Sequence, residues 1–460
     1  MSSNIHDLVI HNGKLISSTQ ILEMDLAIDG EKITAIGQGL SGRRDVDASG
    51  KYVIPGGIDP HVHLEMPVGA TCSSDDWFTG TRAAACGGTT TVIDFVEPGR
   101  NESLVQALNA RRGLAQRKAV IDFGLHMTII KDDAQTLLEI TTLCTDGCTS
   151  FKTYLTYEGF CLSDPAFLNV LCKVKKAGGI VLVLAENDAI IRLLQLQYRE
   201  EKKTAPKYRA ATRPPIAEGE AIQRSLALAE VAGARLYVVH TSTALGVEAI
   251  RGARKRGVAA YGETCPQYLL LTDRELSRPG FDGAKFVCSP PLRSQPDNER
   301  LWEALRDDDL QTVGTDHCPF FFKGQKDLGK NNFMDIPGGL PGIESRLALI
   351  HHYGVRAGRI SLNRWVQICC TNPARLFGLY PRKGALEIGA DADLVLFDPD
   401  TEVTLKKSML HEQVDYTPYE GFHLRGYPVM TILRGRVIVK NGEFSGAPGD
   451  GRYLSRQLGE

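Results

Sequence analysis

Tyr52-Val53-Ile54-Pro55-Gly56-Gly57-Ile58-Asp59-Pro60-His61-Val62-His63 begins on an apolar run and closes on two imidazoles. A short apolar run punctuated by Gly and Pro predicts a buried strand. Side chains alternate along a strand, so His61 and His63 point to the same side and can reach one cation. The pattern recurs at 89–96, 120–129, 149–157, 180–187, 235–242, 258–268 and 310–318, giving eight candidate strands with the run at 52–63. Stretches between them, such as 103–118, 217–232 and 245–256, carry helix formers with apolar residues at three- and four-residue spacing. Eight βα repeats in one unit of this length predict an α/β protein built on a closed (β/α)8 TIM-like barrel, with a doubly wound sheet as the alternative.

Outward from the repeats the texture changes. Leu8-Val9-Ile10, Leu26-Ala27-Ile28 and Ile33-Thr34-Ala35-Ile36 are short strands joined by turns at Asn12-Gly13 and Asp29-Gly30. Similar runs return only at 392–397, 429–433 and 437–439. Two β-rich ends flanking a different middle predict a discontinuous β-sandwich domain from 1–54 plus 380–460, with the barrel at 55–379. The length of 460 residues accommodates both.

The bulk properties exclude several function classes. The 53 basic and 55 acidic residues are interspersed, so no long-range field favours nucleic acid or an anionic membrane, and a small, nearly neutral ligand fits best. The amino terminus lacks a basic region followed by an apolar core, which predicts no secretory signal, and apolar stretches such as 119–131 are too short to span a bilayer. The eleven cysteines are scattered, which predicts reduced thiols in a cytoplasmic protein. Cys144 and Cys148 have no second pair to complete a zinc knuckle, so they are expected to be ordinary thiols.

In a closed parallel barrel the chemistry sits where the strands end. The sixth run closes on His240 and the eighth on Thr315-Asp316-His317, bringing imidazole and carboxylate ligands towards His61 and His63. Lys152 lies inside an apolar strand, Ser150-Phe151-Lys152-Thr153-Tyr154-Leu155, where an ammonium must find an anion or lose its proton. A neutral amine there can add carbon dioxide and become a carbamate that bridges two cations. A buried ion pair and a Schiff-base lysine are the other fates such a residue has.

Gly56 to His63, Gly87-Gly88-Thr89-Thr90-Thr91, Ser150-Phe151-Lys152, Glu263-Thr264-Cys265-Pro266-Gln267-Tyr268, Ser289-Pro290-Pro291-Leu292-Arg293 and Thr315-Asp316-His317-Cys318 together resemble the signature segments of dihydropyrimidinases and D-hydantoinases. The likeness covers almost the whole chain. It implies a binuclear Zn2+ site, a homotetramer, and hydrolysis of the cyclic amide of hydantoins or dihydropyrimidines to N-carbamoyl amino acids. Carried over, His61, His63 and Asp316 bind one metal, Lys152 bridges as N6-carboxylysine, and His240 binds the second. Asp316 also takes the nucleophile's proton, Tyr157 stabilises the oxyanion, and Ser289 with the backbone at Gly338 holds the cyclic ureide or imide. Leu64, Met66, Phe95 and Phe160 are candidates to receive the ring substituent. Allantoinase and dihydroorotase relatives fit less well, given Tyr157 and the Ser-Pro-Pro-Leu-Arg segment.

Two positions depart from that pattern. Leu184 stands where the family has a histidine ligand to the second metal, and no histidine lies between His126 and His240 to replace it. Glu186 belongs to the usual segment and is no substitute. The expectation is a ligand-deficient hydantoinase scaffold with impaired or altered activity, the alternative being a catalytically inactive assembly protein of the same family. Gly338 stands in place of a usual asparagine, a change that a backbone contact tolerates.

Overall fold

The computed structural model describes residues 5–459. The expectation about a leader therefore rests partly on residues 1–4, outside the described residues. Eight parallel strands follow one another around a barrel: β1 (Gly57–Val62), β2 (Thr89–Val96), β3 (Asp122–Thr128), β4 (Ser150–Tyr154), β5 (Ile180–Leu184), β6 (Leu236–Val238), β7 (Ala260–Thr264) and β8 (Thr312–Val313). Neighbours pair in sequence order, with registers such as Lys152 opposite Leu182 and Tyr154 opposite Leu184. The ring closes just beyond β8, where Val62 bridges His317 and the His63 amide donates to the His317 carbonyl at 2.9 Å.

Buried charge reinforces this seam. Asp59 in β1 accepts from the Thr315 amide at 3.1 Å and the Thr315 hydroxyl at 2.6 Å. Arg346 Nη1 donates to the carbonyls of Ile58 and Val313, at 3.0 and 2.8 Å, so one guanidinium ties β1 to β8. The helices between strands start as their sequences require. Ser103 caps Leu104–Lys118, Thr243 caps Ala244–Lys255, and Pro215–Ala232 begins on proline and ends at Gly233 with φ of 62°.

The run that decided the fold is two strands. Tyr52–Pro55 belongs to an outer sheet, pairing with Leu394–Thr404 and Lys14–Ile16, and the chain enters the barrel only at Gly57. Gly56 makes the crossing because a Cβ there would lie 2.0 Å from Thr90 Oγ1. The run at 258–268 likewise divides, as Pro266–Leu270 is helical. Continuous apolarity marks burial, and both segments stay buried as they change element.

The outer sheet continues through His423–Leu433 and Arg436–Lys440, and faces a second sheet of Leu8–His11, Asp25–Asp29, Lys32–Gly37 and Asp45–Asp47. Leu8, Ile10, Leu26, Ile28, Val53, Leu394 and Ile432 fill the space between them, a sandwich built from both chain ends. Beyond it the chain returns to the barrel: the Phe123 amide donates to the Arg452 carbonyl and the Arg456 amide to that of Gly147. Among the described residues no helix is long and apolar enough to cross a membrane.

Candidate active site

His61 and His63 leave the end of β1 with their Nε2 atoms 3.2 and 3.1 Å from Asp316 Oδ1. His240 follows β6, and His61, His240 and Asp316 offer ligand atoms that all lie within 4.8 Å of one another. His61 Nε2, His63 Nδ1 and His240 Nδ1 are buried without a hydrogen-bond partner among the described residues. Burial holds the His61 imidazole well below its ordinary pKa and brings His240 down to about 4, leaving both rings neutral with lone pairs to offer. This donor set fits a divalent cation.

Lys152 points into the same space from β4. It is 1% exposed, its Nζ lies 4.8 Å from the Phe95 ring centre and 5.3 Å from that of Tyr154, and no carboxylate pairs with it among the described residues. Burial brings its pKa down to about 8, so a substantial neutral fraction exists near physiological pH. Tyr157, His240 and Asp316 all have positive φ, at 76°, 37° and 51°. Three non-glycine residues in the left-handed region mark backbone that the surrounding barrel holds in place while it aims these side chains inward.

The cavity above these groups has a volume of about 840 Å3, and Tyr157, Ser289 and Gly338 line it with them. Leu184, the last residue of β5, also faces it and is 5% exposed, so the fifth strand presents hydrocarbon where its neighbours present donors. Of the apolar candidates, Met66 and Phe160 line the cavity. Leu64 instead packs under the first barrel helix, where a Cβ on Gly80 would lie 2.3 Å from its Cδ2. Phe95 lies beneath the ligands, its ring centre 4.8 Å from those of both His61 and His63. His317 points away: its Nδ1 accepts from the Gly342 amide, leaving its Nε2 hydrogen for Asp75 at 3.0 Å. Cys144 and Cys148 are free thiols outside any metal-ligating cluster among the described residues.

The amidohydrolase family model matches residues 52–157 and 217–438. A D-hydantoinase of Geobacillus stearothermophilus is 46% identical over 452 residues, covering 97% of this chain and 96% of its own. The structure of a D-hydantoinase from Bacillus sp. AR9 superposes with a TM-score of 0.97 at 46% identity, over 99% of this chain and 100% of that one. A dihydropyrimidinase from Brevibacillus agri NCHU1002 gives 0.97 at 44% identity, over 98% and 99%. The chain belongs to the amidohydrolase family, in its D-hydantoinase and dihydropyrimidinase group.

Several residues of this amidohydrolase that matter to the site were assigned no role from the sequence alone. Glu263, closing β7, holds His61 Nδ1 at 2.6 Å and accepts from the His240 amide at 2.9 Å and the Tyr237 hydroxyl at 2.8 Å. Burial pushes its carboxyl up to about 7. It lies in the middle of the apolar run at 258–268, which continues past the end of β7 at Thr264, so the sequence did not mark it as a strand end. Arg213 pairs with Glu186 and sits 5.1 Å from the Tyr157 ring centre. Lys326 donates to the carbonyls of Val287, Pro337 and Gly339 at 2.7 to 2.8 Å, bracing the segments that carry Ser289 and Gly338. Arg213 and Lys326 lie outside the strand runs, where no periodicity announces them.

Proposed function

We propose that this chain hydrolyses the cyclic amide of hydantoins or dihydropyrimidines to N-carbamoyl amino acids. The observation that carries the proposal is the convergence of His61, His63, Lys152, His240 and Asp316 on one end of the barrel, within a cavity large enough for a small ring. His61, His63 and Asp316 would hold one Zn2+, and Lys152 would join them as its carbamate, a form that its burial favours. Zinc held there would supply Lewis-acid chemistry, polarising the ring carbonyl and acidifying water. His240 and the carbamate alone would be left to hold a second ion, because Leu184 offers no lone pair. The second position would therefore be weakly filled and activity reduced.

The protein's own groups do the rest. Asp316 accepts the nucleophile's proton at a carboxylate oxygen and returns it to the leaving nitrogen. The Tyr157 hydroxyl donates to the carbonyl oxygen as negative charge grows there, and the geometry that holds it is fixed before substrate arrives. Ser289 and the Gly338 backbone position the ring, and Met66 with Phe160 contacts its substituent. The homotetramer and cytoplasmic setting implied by the family belong to the same proposal, as does the division into 1–54 with 380–460 and 55–379, which the pairing of Tyr52–Pro55 with Leu394–Thr404 supports.

Leu184 also supports a second reading, a family member that has lost catalysis and serves assembly. Purified protein supplied with zinc and bicarbonate is assayed on hydantoin and dihydrouracil, with metal content measured in parallel. Bound zinc with formation of the N-carbamoyl product is the expected result. Zinc-free protein that opens neither ring, and does not gain activity in Leu184→His, favours the assembly reading.

A further inference from the structure

Arg209, in the short helix Tyr208–Ala211, is 6% exposed and lines the cavity beside Ser289 and Gly338. Its Nη2 donates to the Ser289 hydroxyl, and its Nε has no partner among the described residues. No carboxylate pairs with it there. The nearby buried guanidinium groups do have one: Arg213 is taken up by Glu186, and Arg293 by Glu218 at 3.2 Å. A guanidinium withdrawn from water without an anion is unfavourable, and its planar fork matches a carboxylate edge to edge. Arg209 therefore leaves a demand for negative charge that the protein does not meet.

Gly338 supplies a second, independent observation. A Cβ there would lie 3.1 Å from Arg209 Nη2 and 3.1 Å from Ser289 Oγ. A side chain at 338 would press on the guanidinium and the Ser289 hydroxyl, so glycine leaves the space beside Arg209 open. Burial and the neighbouring Arg213 lower the Arg209 pKa to about 10, which leaves it cationic at neutral pH.

We infer that Arg209, in the space opened by Gly338, is a carboxylate-binding subsite, and that the preferred substrates are cyclic ureides carrying an acidic substituent on the ring. The substrate class rests on the hydrolytic function proposed above, whereas the subsite is a matter of binding. The probes are 5-(carboxymethyl)hydantoin and 5-isobutylhydantoin, which have side groups of similar shape and differ in charge. Their kcat/KM values and calorimetric affinities are measured on the zinc-loaded full chain, on Arg209→Gln and on Arg209→Lys. The ratio of acidic to neutral ligand is taken within each protein, so a misfolded fraction cancels.

A preference for the acidic ring of about tenfold or more is expected, lost in Arg209→Gln and partly kept in Arg209→Lys. A ratio unchanged by Arg209→Gln overturns the subsite. So does an equal loss for both ligands, which would place Arg209 against the ring or the product carboxylate instead. If neither ring is opened yet the acidic one binds more tightly in an Arg209-dependent way, the subsite stands and the hydrolytic reading falls. Hydrolysis of both rings with indifference to Arg209 leaves the opposite result.

Discussion

Glu263 holds His61 by its Nδ1 at 2.6 Å, so the Nε2 atom of His61 is the one presented towards Asp316. A carboxylate behind a ligating imidazole fixes the ring's tautomer and orientation and raises its basicity. The same carboxylate receives the His240 amide, at a residue with φ of 37°, so one side chain aligns ligands from β1 and β6.

Glu263→Gln keeps the shape and removes the charge, and it is expected to weaken zinc binding by about ten- to a hundredfold. Competition with a chromogenic chelator measures this directly. An unchanged zinc affinity would show that the His61 orientation does not depend on this contact.

Leu184→His is expected to raise zinc content from about one towards two ions per chain and to increase hydrolysis, because it restores an imidazole at the end of β5. Elemental analysis of protein purified with added zinc and bicarbonate reads the first effect, and turnover of hydantoin the second. Equal content in both proteins would show that position 184 does not face the second ion.

Carbamate formation needs the free amine, and burial brings Lys152 down to about 8 from its ordinary value of 10.5. The lowered pKa means that the ammonium form, dominant below about 8, is the one burial disfavours, so carbon dioxide uptake rises as pH climbs through that value. Metal-free protein in 13C-bicarbonate is expected to gain a carbamate resonance that is stronger at about pH 9 than at about pH 7, and absent from Lys152→Met. A signal independent of pH, or surviving in the variant, would contradict the assignment.

Arg346→Met cuts the tie between β1 and β8 and leaves Asp59 buried without its cation, 3.9 Å away in the intact protein. The expected loss is about 3 kcal/mol or more of stability, by chemical denaturation where unfolding is reversible. Arg346→Met with Asp59→Asn recovers part of it, since the orphaned charge is then gone. A double variant no more stable than the single one would assign the loss to packing alone.

The sequence by itself determined the barrel, since eight apolar runs alternating with helical periodicity leave few other ways to bury so many strands. It also brought out His61, His63, His240 and Asp316, because a strand end is both a compositional boundary and a place on the barrel's rim. The division of the first run at Gly56 was not legible, as burial on both sides of the crossing makes one continuous apolar stretch of two strands. Leu64 and His317 share the chemistry of site residues and sit beside them in the chain, yet they turn towards Gly80 and Asp75. Only the tertiary structure decided that Glu263 stands behind two ligands, and that Arg209 reaches Ser289 across 80 residues of chain with no carboxylate to meet it. Periodicity encodes which face of an element is buried. It carries no information on which buried polar groups meet, because that depends on contacts between segments far apart in sequence.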